Sequence, residues 1–242
     1  MLIVVIFISH WYLSLFFQTF FLHRYASHKM FEMNPSIERI FFFLTFLVQG
    51  SSFLQPAGYA LMHRKHHKFS DTAQDPHSPV HSNNFIAFMN RTYEEYSFYS
   101  KGVLSGEYDN VDLPRWRLLE KIGDYYSTRF IFILCYILIY VLFSPSAWFF
   151  LLIPIHVLMG PIHGFIVNWF GHKTGYTNFK DLKDSSKNTL FVDVLMMGEL
   201  YQNNHHKFPN KTNFAHKWFE FDFGHLFTKL LLFINIISTR KS

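Results

Sequence analysis

The sequence predicts an all-α integral membrane protein with about three transmembrane helices, an interfacial or re-entrant helix, and a cytoplasmic helical cap. Half of the 242 residues are apolar and only 16% are charged, a balance too apolar for a typical soluble domain. Residues 1–22 and 130–170 contain no Asp, Glu, Lys or Arg, so every formal charge lies in 23–129 or 171–242. The net charge of +5 fits a cytoplasmic membrane face, and no nucleic-acid-reading motif accompanies the basic residues.

Three stretches are predicted to cross the membrane. The first, about 2–22, is long enough for roughly 30 Å of hydrocarbon. A cleavable signal peptide is the alternative, but the stretch has neither a basic n-region nor a small-residue cleavage site, which favours a retained span. The charge-free stretch 130–170 is about twice as long and is interrupted by Ser144-Pro145-Ser146. It therefore predicts two spans, about 127–143 and 147–169, joined by a tight turn.

The remaining apolar segment, about 38–61, is a weaker membrane helix because it carries glutamines, serines, Pro56 and Gly58. If it crossed the bilayer, His23 and His28 would lie on the opposite side from His63. We therefore predict an interfacial or re-entrant helix. With three crossings, 23–126 and 171–242 become cytoplasmic regions of a single domain that spans 1–242.

Eight of the fifteen histidines fall in four short clusters, each at the cytoplasmic end of an apolar segment. The clusters are His23 with His28; His63, His66 and His67; Asn168 with His172; and Gln202, His205 and His206. Residues at i, i+3 and i+4 share a face of about 100° on a helix, so the members of each of the last three clusters are expected to converge on a common point. The first two histidines are five apart, about 140° around a regular helix. They converge only if the helix ends or bends between them, or they serve different metals.

Clusters at these spacings indicate a site for more than one metal. A lone histidine is usually structural, and that is the expectation for His10, His81, His216 and His225. Imidazole suits iron, copper, zinc and nickel, and eight nitrogen ligands exceed the four that a tetrahedral zinc uses, so two metals are the natural count. The sequence contains no HExxH and no ExxH pair, which argues against a zincin and against a carboxylate-bridged di-iron bundle.

The order HxxxxH, HxxHH, NxxxH and "GELYQNNHH" resembles the membrane-bound fatty acid desaturases, especially the acyl-CoA Δ9 type. "HHKFSDTAQDPHSP" is similar to the stretch after the second histidine box of that family, and the resemblance covers about residues 10–225. It implies two Fe²⁺ ions held almost wholly by histidine, O₂ as co-substrate, and two electrons from a partner protein. The implied ligands are His23, His28, His63, His66, His67, His172, His205 and His206, with Asn168 acting through a water molecule and Gln202 as a candidate ligand.

Further residues near the clusters are candidates to orient the ligands through hydrogen bonds. They are Asp71, Asp75, His77, His163, Asp193 and Glu199. Two features depart from the family pattern. Gln202 replaces the usual histidine, and because an amide oxygen binds iron more weakly, either one site is labile or a ligand comes from elsewhere. The chain also begins at what would be the family's second span, so one of the usual four spans is expected to be absent.

The resemblance implies an enzyme that inserts a cis double bond into a saturated acyl chain, linked to CoA or lipid, with Δ9 as the suggested position. A hydroxylase on the same scaffold is the alternative, and a metal carrier is disfavoured because the ligands gather on one face instead of following the spans. No HPGG signature of a cytochrome b5-like module occurs, so a separate ferredoxin- or cytochrome b5-type donor is expected. The expected partners are the acyl substrate, this donor and membrane lipid. The expected location is a bacterial inner membrane, or the endoplasmic reticulum of a eukaryote.

Overall fold

The computed structural model describes residues 2–240, and these form an almost entirely helical chain. The helices are α1 (Leu2–Phe17, continuing as a π-helix over Gln18–Ser27), α2 (Pro35–Gln49), α3 (Pro56–Phe69), α4 (Phe85–Ser105), α5 (Arg117–Asp124), α6 (Tyr126–Phe143), α7 (Ile153–Val157), α8 (Met159–Phe165, continuing as a π-helix over Ile166–Phe170), α9 (Gly171–Lys173), α10 (Gln202–Lys207) and α11 (Phe223–Phe233). Short 3₁₀ segments cover Gly50–Ser52 and Ala147–Leu152, and β1 (Phe31–Glu32) pairs antiparallel with β2 (Ser238–Thr239).

Two of these helices, Leu2–Ser27 and Tyr126–Phe143, are long and apolar enough to cross a membrane. Two bent pairs raise the number to four if each pair counts as one span. They are Pro35–Ser52 with Pro56–Phe69, bent by 80°, and Ala147–Val157 with Met159–Lys173, bent by 70°. The predicted all-α membrane architecture is therefore confirmed.

The first long helix changes its winding where it approaches the site. From Gln18 to Ser27 it is a π-helix, whose hydrogen bonds join residues five apart, and all ten of its residues are buried. The same spacing continues at its end, where the His28 N–H donates to the His23 carbonyl at 3.2 Å. Residues five apart therefore lie on one face, and the His23 and His28 rings are 5.0 Å apart. The π-helical winding and the end of the helix at Ser27 therefore bring His23 and His28 together.

The segment about 38–61 is two helices, not the single helix that the sequence suggested. The chain breaks at Gly50, whose φ of +50° is left-handed, and a Cβ there would lie 2.1 Å from the Tyr136 hydroxyl. The Gln49 side-chain oxygen then accepts the Leu54 N–H at 3.0 Å, and Pro56 starts α3. Because Pro is suited to the first turn of a helix, α3 begins in a new direction. Its far end carries three of the clustered histidines toward the site.

The charge-free hairpin turns at Ser144–Ser146, as predicted, but its second arm is not one straight helix. It bends by 70° at Leu158. Pro161 has no N–H to donate to the Val157 carbonyl four residues earlier, and the Ser51 hydroxyl donates to that carbonyl instead, at 2.8 Å. The break is therefore fixed by proline chemistry together with a neighbouring helix.

A buried ion-pair network joins the first helix to residues just before α10 and α11. Arg24 is fully buried and contacts the carboxylate of Glu199 at 2.7 Å and both oxygens of Asp222 at 2.9 Å. Gly224 makes room for the guanidinium, since a Cβ there would lie 2.7 Å from its Nη1 atom. Removing one partner of a buried pair is strongly destabilising, by about 3–5 kcal/mol, so this network fixes α10 and α11 against the end of the π-helix.

Candidate metal centre

Five histidines from the end of the first helix, α3 and α10 converge on one point. They are His23, His28, His63, His67 and His205, and their ligand atoms all lie within 4.8 Å of one another. The Nε2 atoms of His28 and His63 are 2.8 Å apart, and His205 Nε2 lies 3.0 Å from the Nε2 atoms of both His23 and His67. Two nitrogens that each lie about 2.1 Å from one ion are separated by about 3.0–3.4 Å at octahedral or tetrahedral angles. The five-histidine cluster therefore has the spacing of a metal ligand set.

Three further histidines form a second cluster beside the first. These are His66, His172 and His206, whose ligand atoms also lie within 4.8 Å of one another. His66 Nε2 is 3.2 Å from His206 Nε2, and His172 Nε2 is buried with no hydrogen-bond partner among residues 2–240. The two clusters adjoin, because the His67 and His206 rings are only 4.6 Å apart. The eight histidines that the sequence pointed to are thus gathered in two neighbouring clusters.

Two helices divide their histidines between the clusters. On α3, His63 and His67 enter the five-histidine cluster while His66 enters the three-histidine cluster. On α10, His205 and His206 divide in the same way. Because consecutive residues are about 100° apart on a helix, neighbours in sequence face opposite sides of the site. The expectation that each of these two groups converges on a single point is therefore wrong.

A carboxylate lies at Nδ1 of four of the eight histidines. The pairs are His23 with Glu199 at 2.6 Å, His66 with Asp75 at 2.9 Å, His172 with Asp71 at 2.9 Å, and His206 with Asp184 at 2.8 Å. A carboxylate at Nδ1 favours the tautomer with the proton on Nδ1 and leaves the Nε2 lone pair available to a metal. Asp75 and Asp71 are thus hydrogen-bonded to clustered imidazoles, whereas Glu199 lies against His23 Nδ1 without the geometry of a hydrogen bond to that atom. The orienting roles expected for these carboxylates remain predictions.

Asp184 was missed by the sequence reasoning. It lies in an irregular segment, 22 residues before its partner His206, so no helical spacing connects the two. The only local signal is the following pair of serines, of which Ser186 donates its backbone N–H to the Asp184 carboxylate at 3.0 Å. Burial alone raises the pKa of Asp184, but its hydrogen bonds with His206 and Ser186 hold that pKa well below its ordinary range. Asp184 thus stays ionised.

Burial favours the neutral form of two clustered imidazoles near the C-terminus, because it lowers the pKa of His205 and His206. It lowers the pKa of His205 well below the ordinary value, and neighbouring histidines lower it further. A neutral ring is the form that binds a metal, because protonation occupies the second nitrogen. The spacing, the unpartnered nitrogen of His172 and the neutral rings all fit a pair of metal ions.

Of the other candidates to orient the ligands, Asp193 does not contact an imidazole. Its carboxylate accepts the backbone N–H groups of Met196, Gly198 and Leu200 at 2.8–2.9 Å, so it holds a turn instead, and the role expected for it is wrong. His77 is buried beside His66, with ring centroids 4.3 Å apart, and neither of its nitrogens has a partner among the described residues. Burial lowers the pKa of His77 to about 4.

Asn168 and Gln202 line a small cavity next to His23 and His63. The Asn168 amide donates to the Gly164 carbonyl at 2.8 Å, and the Gln202 amide donates to the Glu199 carbonyl at 2.6 Å. Gly171 leaves the space that Gln202 occupies, since a Cβ there would lie 2.5 Å from its Cγ. His163 lines the same cavity and is packed edge-on against Trp11 at 4.4 Å.

The remaining histidines lie outside both clusters. His156, inside the hairpin, contacts His10 at 2.7 Å and Tyr140 at 3.2 Å, so this intramembrane ring is paired. His10 also contacts the Val48 carbonyl at 2.5 Å. His81 is exposed and contacts the backbone carbonyl of Asp71, and His225 contacts Thr212. These contacts agree with the structural roles expected of lone histidines.

Comparisons with known proteins lead to one family. The family model described as "Fatty acid desaturase" matches residues 1–226. The chain is 27% identical to a hex-5-enoyl-[acyl-carrier protein] acetylenase of Moorena producens, over 90% of this chain and 70% of that protein. It is 28% identical to an acyl-CoA 5-desaturase of Anemone leveillei and 28% identical to an sn-1 stearoyl-lipid 9-desaturase of Synechocystis, in both cases over 90% of this chain and 65% of the relative. The chain thus spans about two thirds of the length of these relatives. It belongs to the fatty acid desaturase family, a family of oxidoreductases of lipid metabolism.

Proposed function

We propose that the protein is an O₂-dependent fatty acyl desaturase that inserts a cis double bond into a saturated chain. The observation that supports this most strongly is the gathering of eight histidines into two adjoining clusters with Nε2 atoms about 3 Å apart. The balanced reaction is –CH₂–CH₂– + O₂ + 2 e⁻ + 2 H⁺ → –CH=CH– + 2 H₂O. We propose a separate ferredoxin- or cytochrome b5-type protein as the source of the two electrons.

The two clusters are proposed to hold one iron ion each. When bound, the iron pair would supply the oxidising power that an unactivated C–H bond requires. His23, His28, His63, His67 and His205 are the proposed ligands of one ion, and His66, His172 and His206 of the other. Asp71, Asp75, Asp184 and Glu199 would orient four of these rings. The matching carboxylate contacts support the assignment because an oriented Nδ1–H makes Nε2 the better ligand.

The substrate is proposed to be an acyl chain linked to CoA or to a lipid. The three relatives carry names that refer to acyl groups on carrier protein, CoA and lipid, and to positions 5 and 9. We propose Δ9 as the first position to examine. The apolar surface of the membrane helices supports a lipid-borne substrate, since α6 exposes Leu134, Leu138 and Val141 on a face without charge.

Expression in a host that lacks unsaturated fatty acids, followed by mass spectrometry of its acyl chains, tests the proposed activity. A monounsaturated chain should appear with the parent protein and with His81→Ala, and should be absent with His67→Ala at matched expression. A hydroxylated chain instead would favour the alternative hydroxylase. An acyl profile unchanged by the parent protein, coexpressed with electron donors of both types, would contradict the proposal.

The site is proposed to face the cytoplasm, on one side of the membrane. Cysteines introduced near Lys29, Lys65 and Lys207 should be labelled from the same face by a membrane-impermeant thiol reagent, and a cysteine at Ser146 from the other face. The reason is that the histidines adjacent to these lysines meet in one site, whereas Ser146 lies in the turn of the hairpin. Labelling of Lys29 and Lys65 positions from opposite faces would rule out this topology.

A further inference from the structure

A small cavity lies beside the five-histidine cluster and is lined by residues of the first helix, α3, α8 and the C-terminal region. Its volume is about 20 Å³. Its polar lining includes Gln18, Tyr59, His163, Asn168, Glu199 and Gln202, and His23 borders it beside the cluster. A polar cavity at this position is unexpected, because a desaturase should surround the reacting methylene groups with apolar side chains.

Of the wall residues outside the two histidine clusters, two are buried with polar atoms that lack partners. Gln18 is 5% exposed and His163 is 0% exposed. The Gln18 side-chain oxygen and both ring nitrogens of His163 have no hydrogen-bond partner within residues 2–240. A buried polar group without a hydrogen-bond partner destabilises the folded protein. Two such residues, on two different helices and lining one cavity, indicate a ligand that satisfies both.

The wall atoms define the chemistry of that ligand. The amide N–H groups of Asn168 and Gln202 donate to the backbone carbonyls of Gly164 and Glu199, which leaves the two side-chain oxygens as acceptors. The Gln18 oxygen is a third acceptor, the His163 ring adds two nitrogens, and the hydroxyl of Tyr59, another wall residue, contacts the Gln18 side chain. A cavity rich in acceptors takes an O–H donor. A thioester or ester carbonyl has no O–H and would leave the Gln18 oxygen unsatisfied.

We propose that Gln18 and His163 bind one donor oxygen beside the metal centre, either a water molecule or the hydroxyl group of an acyl ligand. The volume supports a single oxygen, since a cavity of about 10–15 Å³ already holds one water molecule when polar partners surround it. Neither residue belongs to the two histidine clusters. The cavity borders His23 and His63, so this inference rests on the proposed metal centre, but its tests use oxygen density and thermal stability and can fail while desaturation is observed.

The direct test is a structure of the purified full chain at a resolution that shows individual water molecules. One data set is collected without added acyl ligand, and others with a plain or a hydroxylated C18 chain. We expect one oxygen peak within hydrogen-bond distance of the Gln18 oxygen and a His163 nitrogen. A peak in the first data set identifies water, and a peak only with the hydroxylated chain, continuous with its density, identifies a hydroxyl. An empty cavity in all data sets, or an oxygen out of reach of His163, overturns the proposal.

A thermal test gives a readout that does not depend on diffraction or turnover. His163→Phe keeps an aromatic ring of similar size but removes both nitrogens. If the site holds an oxygen, this variant loses hydrogen bonds, and its melting temperature falls below that of the parent, while His163→Gln, which keeps a donor and an acceptor, lies closer to the parent. If instead the nitrogens are permanently unpartnered, His163→Phe removes a buried polar group and the melting temperature rises. A rise overturns the proposal.

Discussion

Asp184→Asn should weaken metal binding at the three-histidine cluster and leave the five-histidine cluster intact. In the parent, one Asp184 oxygen lies 2.8 Å from His206 Nδ1, and the other accepts the Ser186 N–H at 3.0 Å. The asparagine amide has one acceptor and one donor. If its oxygen stays on Ser186, its NH₂ group faces the Nδ1–H of His206 and favours the tautomer in which the proton sits on Nε2. The His206 lone pair is then directed away from the metal.

The expected loss follows from the number of contacts changed. Only one carboxylate–imidazole pair is altered, and Asp184 contacts none of the other seven clustered rings. Removing one orienting partner of a metal-bound histidine typically lowers metal affinity about 10–100-fold, which corresponds to about 1.4–2.7 kcal/mol. The five-histidine cluster keeps its own contact between His23 and Glu199 and should retain its metal.

Competition with a chelator measures this loss. Purified parent, Asp184→Asn and Asp181→Asn proteins are titrated with the same chelator, and bound metal is counted at each concentration. Asp181→Asn is the matched control, because Asp181 lies three residues away, is exposed and pairs with Lys207 instead of a histidine. In Asp184→Asn, the metal ion of the three-histidine cluster should dissociate at a chelator activity about 10–100-fold lower than in the control.

The reasoning is refuted if Asp184→Asn and Asp181→Asn release metal at the same chelator concentration. It is also refuted if Asp184→Asn loses both metals together, since that would mean that the two clusters do not bind independently. A control for folding is the far-ultraviolet circular dichroism spectrum, which should be the same in all three proteins.

Three further predictions concern single side chains. His67→Ala should abolish turnover while His81→Ala retains most of it at matched expression, because only the first removes a clustered nitrogen, and an active His67→Ala enzyme would show that the ligands are misassigned. Gln202→Ala should lower both activity and metal retention in a chelator assay, whereas Gln202→His should retain both. If both variants behave like the parent, Gln202 neither binds metal nor positions a ligand. In metal-free protein, His77 stays neutral down to its folded pKa of about 4, while the unfolded chain takes up a proton near pH 6.5, so stability should fall as pH drops from about 6.5 to 4. In urea unfolding, the free energy of unfolding of His77→Gln should fall by about 3 kcal/mol less than that of the parent between pH 6.5 and 4. Equal decreases in the two proteins would contradict the lowered pKa of His77.

The helical spacing of the histidines was the feature of the site that sequence could predict best. His63, His66 and His67 were expected together because i, i+3 and i+4 share a helix face, and all three enter the two adjoining histidine clusters. Their division between two clusters was not predictable, since it depends on which neighbouring helix each ring faces. The meeting of His23 and His28 depends on π-helical winding, which no local residue pattern indicates.

Breaks and long-range partners were the features that the sequence could not supply. At the bend near Leu158, Ser51 from another segment donates its hydroxyl to the Val157 carbonyl, which Pro161 cannot do because it has no N–H. Asp184 reaches His206 across an irregular segment where neither period 2 nor period 3.6 applies. Such contacts are set by tertiary packing, so only the charge-free membrane stretches and the histidine spacings were visible in the sequence alone.

Metal analysis of the purified, active protein tests the central claim most directly. Iron and zinc are counted by mass spectrometry on protein expressed with abundant iron, and turnover is measured on the same sample. We predict close to two iron ions per chain, falling toward one in Asp184→Asn at a chelator activity that the parent withstands. One metal per chain in a fully active sample, or zinc in place of iron with activity retained, would contradict a two-iron centre built from the eight histidines.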